Sequence, residues 1–154
     1  MVVPRPEPHA YAAATVQRRA LRARPLARAR LVCEIATAYV RTRRALRARP
    51  LVAAIATLRA QRRPPVIAET TEPLAEASHL ARAVVRTLAL LPGDTRCLTR
   101  SLVLTRLLAR RGIPATLVIG ARSAPDFVAH AWVEHRGHAV LPPGDESFGR
   151  LVEL

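Results

Sequence analysis

Apolar positions fall at helical spacing through the first two-thirds of the 154-residue chain and at strand spacing after it. Residues 1–9 carry Pro4, Pro6 and Pro8 and read as a disordered start. Tyr11 to Arg24 is helix-permissive, and Pro25 suits the first turn of a following helix. Leu31, Ile35, Tyr39 and Leu46 share one face of that helix, with Val32, Ala36 and Val40 beside them. Arg30, Arg41, Arg44 and Arg47 lie opposite. Pro50 stops the helix or starts another, Leu51 to Arg63 predicts a further short one, and Pro64-Pro65 ends that. After an acidic loop at Glu69 to Glu72, Pro73 opens a helix with Leu74, Ala77, Ala81, Val84, Val85 and Leu88 at helical spacing. Leu91-Pro92-Gly93-Asp94 is its turn signature.

Cys97 to Arg111 predicts the last long helix, with Asp94 or Thr95 as its cap and Gly112 as a left-handed stop. Beyond Pro114 the period shortens. Ala115 to Ala121, Phe127 to Glu134 and His138 to Leu141 predict strands, the last two joined by a turn at Arg136-Gly137. Ser147 to Leu154 reads as a short closing helix. Helices first and a small antiparallel sheet after them make the fold class α+β.

Composition changes this picture in one respect, the distribution of charge. All 25 cationic residues are Arg, and the formal net charge is +14. Residues 1–64 hold 15 Arg against 2 Glu, whereas residues 65–154 hold 10 Arg against 9 acids. Any electrostatic partner therefore meets the first half. Nucleic acid is poorly supported, because Tyr11 and Tyr39 are the only aromatics there and base stacking needs more. A basic amphipathic helix can instead lie on anionic lipid, or grip an acidic partner. The absence of both Lys and Asn points to codon bias as a further source of the Arg excess.

Cys33 and Cys97 form no C-x-x-C pair, so a cysteine-rich metal or disulfide framework is excluded. Met1 to Arg24 lacks the apolar run of a signal peptide, and Glu34, Arg82 and Arg86 interrupt the two longest apolar stretches. The expected compartment is the cytoplasm. No Gly-rich phosphate loop is present, and nothing in the pattern calls for a cofactor or metal. His9, His79, His135 and His138 lack ligand-like company, and His135 and His138, flanking a turn, read as solvated.

The chemistry concentrates in two places. Cys97 falls in the first turn of a helix, where unpaired N–H groups and the positive end of the dipole favour a thiolate. The N–H groups at Cys97 and Leu98 can receive an oxyanion. On position alone, Cys97 reads more often as a small buried hydrophobe, the commoner role of an unpaired cysteine, and Cys33 is assigned to packing. His130 lies in Ala129-His130-Ala131-Trp132-Val133-Glu134, where alternation puts His130, Trp132 and Glu134 on one strand face. A strand imidazole beside a helix-tip thiol is the pairing thiol catalysis needs, although an isolated strand histidine is also a common structural residue. Asp145 is the candidate third group that orients the imidazole, or simply a turn aspartate. Glu134 and Glu146 are weaker candidates for that role. Trp132 shields the site, stacks on the ring, or fills the core.

Cys97-Leu98-Thr99-Arg100-Ser101-Leu102 resembles the C-L-x-R-S-L nucleophile motif of the lasso-peptide leader peptidases, the protease part of the maturation B protein. Phe127 to Glu134 resembles their F-x-A-H-A-W-V-E motif, and 33 residues separate Cys97 from His130. The resemblance covers roughly the last 60 residues. It implies a transglutaminase/papain-like core over 65–154, a nucleophile helix plus a small antiparallel sheet, behind a basic helical region at 1–64. It implies a stand-alone Cys-His-Asp protease without cofactor, with Cys97 as nucleophile and His130 as base. It further implies three partners: a leader-bearing precursor peptide, a small leader-recognition protein and a macrolactam-forming cyclase. The family places its acid near Leu141 to Pro143. This sequence has none there, and Asp145 follows slightly later. A transglutaminase-like acyltransferase shares the triad chemistry, and a basic binding module is the non-enzymatic alternative.

Overall fold

The computed structural model describes residues 8–48, 50, 53, 56, 73–93, 96–123, 126–141 and 148–154, with side chains described from Pro25 onward. Helix α1 spans Pro8–Ala48, α2 Pro73–Leu88 and α3 Cys97–Arg110. Strands β1 (Thr116–Arg122), β2 (Val128–His135), β3 (His138–Leu141) and β4 (Gly149–Glu153) form one antiparallel sheet in the order β3-β2-β1-β4. The α+β class follows directly. Of the expected helix at 51–63, Ala53 and Ala56 are described, and both are helical. The expected division of the chain at residue 64 falls outside the described residues. Contacts separate two compact units, Met1–Glu34 and Ile35–Leu154.

The first unit contributes α1 up to Glu34. Pro8 and His9, expected in a disordered start, open this helix, and Pro is tolerated in a first turn because its missing N–H would be unpaired there anyway. Pro25 does not begin a new helix; α1 runs through it. An interior proline removes one backbone donor at a cost of about 3 kcal/mol, offset here by flanking Ala, Leu and Arg, all strong helix formers. Cys33 is exposed rather than packed.

The second unit holds the core. In the remainder of α1, Ile35, Ala38, Tyr39 and Thr42 are buried at helical spacing, while Val40 is exposed. Tyr39 Oη donates to the Pro92 carbonyl at 3.0 Å, tying α1 to the turn after α2. α2 buries Ala77, Leu80, Ala81, Val84 and Leu88 and packs on α3 and β3. Leu102, Val103, Leu104, Leu107 and Leu108 of α3 are essentially inaccessible, and α3 packs chiefly on β2. The expected stop is observed: Gly112 has φ 71°, Gly112 N–H reaches Ala109 O at 3.1 Å and Ile113 N–H reaches Leu108 O at 3.0 Å. These two bonds satisfy carbonyls the helix end would otherwise orphan. Asp94 and Thr95, the expected caps, lie outside the described residues.

β1 and β2 pair in register from Thr116↔Glu134 to Arg122↔Val128. The turn to β3 places Arg136 (φ 50°) and Gly137 (φ 80°) in the left-handed region, as a two-residue hairpin turn requires. Residues 131–135 of β2 are all buried, so both faces of this half of the strand are covered. His135 is among them, contrary to the solvated role expected from its place beside the turn. It is 3% exposed, and its Nδ1 sits 2.6 Å from the Pro114 carbonyl, so packing against the β1 approach overrides the turn position. The expected closing helix is also corrected. Residues 149–153 form β4, which pairs with β1. Hydrogen bonds between Leu117 and Leu154, 2.7 and 2.8 Å, extend the pairing.

Candidate functional site

Cys97 is the first residue of α3 and is half-buried. Arg96 precedes it as the N-cap residue and offers no side-chain cap; the first turn contains no acid. The Arg100 N–H bonds back to Arg96 O at 3.1 Å, and the N–H groups of Cys97 and Leu98 come before the first residues that helical bonding can satisfy. One turn beyond Cys97, Ser101 is buried and its Oγ donates to the Ala131 carbonyl at 2.9 Å. Among the described residues the β3 ladder on β2 covers Val133 to His135, and Ala131 lies beyond it. Ser101 thus straps the helix that begins at Cys97 to the residue adjoining His130.

His130 is half-buried, and its imidazole lies against two aromatic rings. Trp132 is stacked at 6.3 Å between centroids and 20° between planes, and Phe148 at 5.3 Å and 29°. Both separations are within the range of favourable ring pairs. The Arg122 guanidinium sits 5.7 Å from the Phe148 centroid. Trp132, 3% exposed, packs over Gly120: a Cβ there would stand 2.9 Å from two of its ring carbons.

Beside the indole, an ionic network joins buried Glu134 to exposed Arg150 and Glu153. Trp132 Nε1 donates to Glu134 Oε1 at 2.8 Å. Arg150 of β4 grips the same carboxylate with both terminal nitrogens, at 3.0 and 3.1 Å, while its Nε donates to Glu153 at 2.8 Å. Burial pushes the Glu134 carboxyl up; the hydrogen bonds from Trp132 and Arg150, with the Arg150 charge, outweigh that and hold it below the usual carboxylate range.

His130, Trp132 and Glu134 share a strand face as their alternation predicts, and the structure gathers Phe148, Arg122 and Arg150 around them. Asp145 lies outside the described residues. Sequence reasoning missed Phe148 and Arg150, since both reach the site through β4, a strand read as helix. Among the described residues no three His, Cys, Asp or Glu side chains cluster as a metal site would require. No described helix is long and apolar enough to cross a membrane.

No curated protein and no solved structure matches the chain. The family model for the transglutaminase-like superfamily matches residues 36–153, more than half of the chain and nearly all of the second compact unit. That superfamily is typically catalytic, and its domain is consistent with cysteine peptidase or acyltransferase chemistry. A thiol heading a helix, a strand histidine and a helix-on-sheet core are therefore met in a chain that belongs to the transglutaminase-like superfamily.

Proposed function

We propose that the protein is a cysteine peptidase that removes the leader from a ribosomally made lasso-peptide precursor. The Ser101–Ala131 hydrogen bond carries this reading, because it ties the helix headed by Cys97 to the strand segment bearing His130. The Cys97 thiolate attacks the scissile carbonyl, and its oxyanion is received by the N–H groups of Cys97 and Leu98. His130 takes the thiol proton and returns it to the leaving amine; water then hydrolyses the thioester. Asp145 orients His130, and Trp132 supports the ring. A small leader-recognition protein delivers the precursor, and a cyclase closes the macrolactam afterwards.

The test is mass spectrometry of a candidate precursor incubated with the protein, with and without the leader-recognition partner. The expected products are a leader with a free carboxylate and the core peptide. Cys97→Ala abolishes them with the fold intact; undiminished processing by that variant removes the reading. A conjugate with an added amine in place of the free acid identifies an acyltransferase instead.

A further inference from the structure

The Trp132 indole next to the imidazole donates to Glu134, and Arg150 holds the same carboxylate. We propose that Glu134 and Arg150 are positioning residues for His130, acting through the Trp132 indole and joined by Phe148, so that the imidazole is oriented by stacked rings as well as by any acid. This rests on the reading that His130 works with Cys97.

Three observations carry it. First, the indole is fixed at two points: its N–H on Glu134 and its six-membered ring over the bare backbone of Gly120. Second, Glu134 is only 8% exposed and Arg150 binds it through both terminal nitrogens, which fixes the carboxylate plane and hence the direction of the indole N–H bond. The Arg150 side chain is 46% exposed, and an ion pair open to water contributes at most about 1 kcal/mol, so stability alone does not account for it. Third, the imidazole plane follows its neighbours, 20° from Trp132 and 29° from Phe148. Phe148 immediately precedes β4 and Arg150 lies within it, so this strand and its first neighbour complete the site.

The probe is iodoacetamide, with Cys97 alkylation followed by intact mass from pH 5 to 9 in a Cys33→Ser background, which removes the exposed second thiol. His130→Ala tests the underlying pairing. The expected result is a roughly ten-fold loss of rate near pH 6, where an ordinary thiol is less than about 1% thiolate. Phe148→Leu keeps apolar bulk and loses the ring; Phe148→Tyr restores the ring. Arg150→Gln loses the charge-assisted fork, and Arg150→Lys keeps charge without it. Phe148→Leu and Arg150→Gln are expected to move the pH profile toward that of His130→Ala, with Phe148→Tyr retaining the wild-type profile and circular dichroism confirming the fold. If His130→Ala changes the profile while folded Phe148→Leu and both Arg150 variants keep it, the positioning role is overturned and the pairing stands. If His130→Ala changes nothing, the pairing fails, and the positioning role with it. Should Arg150→Gln not fold, Arg150→Lys and Phe148→Leu decide alone.

Discussion

Replacing Gly120 by alanine is the sharpest test of the packing beneath the candidate site. The added methyl would stand 2.7 Å from the Gly149 carbonyl oxygen and 2.9 Å from two carbons of the Trp132 ring, whereas ordinary contact begins at 3.4 Å. The carbonyl must therefore retreat by about 0.7 Å, and it belongs to the β4 backbone, paired with β1 at Ala121↔Gly149. The ring must retreat by about 0.5 Å, yet its N–H is held by Glu134 at 2.8 Å. Neither obstacle is the loose end of a flexible side chain. Overpacking of this kind costs about 1–3 kcal/mol. At about 4 °C per kcal/mol for a domain of this size, Tm falls by about 4–12 °C. Trp132 is the chain's single tryptophan, so its near-ultraviolet dichroism and emission report the displacement directly. A variant with Tm within about 1 °C of wild type and an unchanged Trp132 spectrum would refute the close approach of β1, β4 and the indole.

Glu134 titrates below the usual carboxylate range, so its contribution to stability is present above an ordinary carboxylate pKa of about 4.3 and is lost as pH falls through the depressed value. Urea midpoints followed by Trp132 emission between pH 2 and 6 should therefore fall steeply with acid in the wild type and less so in Glu134→Gln; equal slopes would contradict the network. Ser101→Ala leaves the buried Ala131 carbonyl without its donor and should cost about 1–3 kcal/mol in denaturant unfolding. Leu107→Ala opens a void where no side-chain surface is exposed and should cost about 2–5 kcal/mol, measured the same way.

The helix that begins at Cys97 was legible from its apolar spacing and its C-terminal end, where the left-handed backbone of Gly112 is written in its residue type; at its start Arg96 supplies no side-chain cap. The β2–β3 hairpin was legible for the same reason, through Arg136-Gly137 and the alternation that sets His130, Trp132 and Glu134 on one face. What escaped the sequence depends on distant partners. All five residues of β4 are exposed, so no buried face marks them with a period of two; the strand exists because β1 offers a ladder. With β4 unread, Phe148 and Arg150 had no visible route to His130. Pro25 shows the converse, a strong local signal overridden by helix formers on either side of it. His135 carried a turn's signature but is buried by packing that only the folded sheet creates.

Joining β4 to β1 has a consequence for how activity is lost. The β1–β2–β3 meander closes short loops, whereas β4 must find the far edge of β1 and buries none of its own residues. Such a strand belongs to the low end of local opening energies, with amides that exchange before those of the leucine-lined helix. Each opening withdraws Phe148 and Arg150 while leaving α3 and the hairpin intact. Under the proposed function, processing of the precursor should then fade under mild denaturant ahead of global melting, as a sub-global event confined to one edge of the sheet.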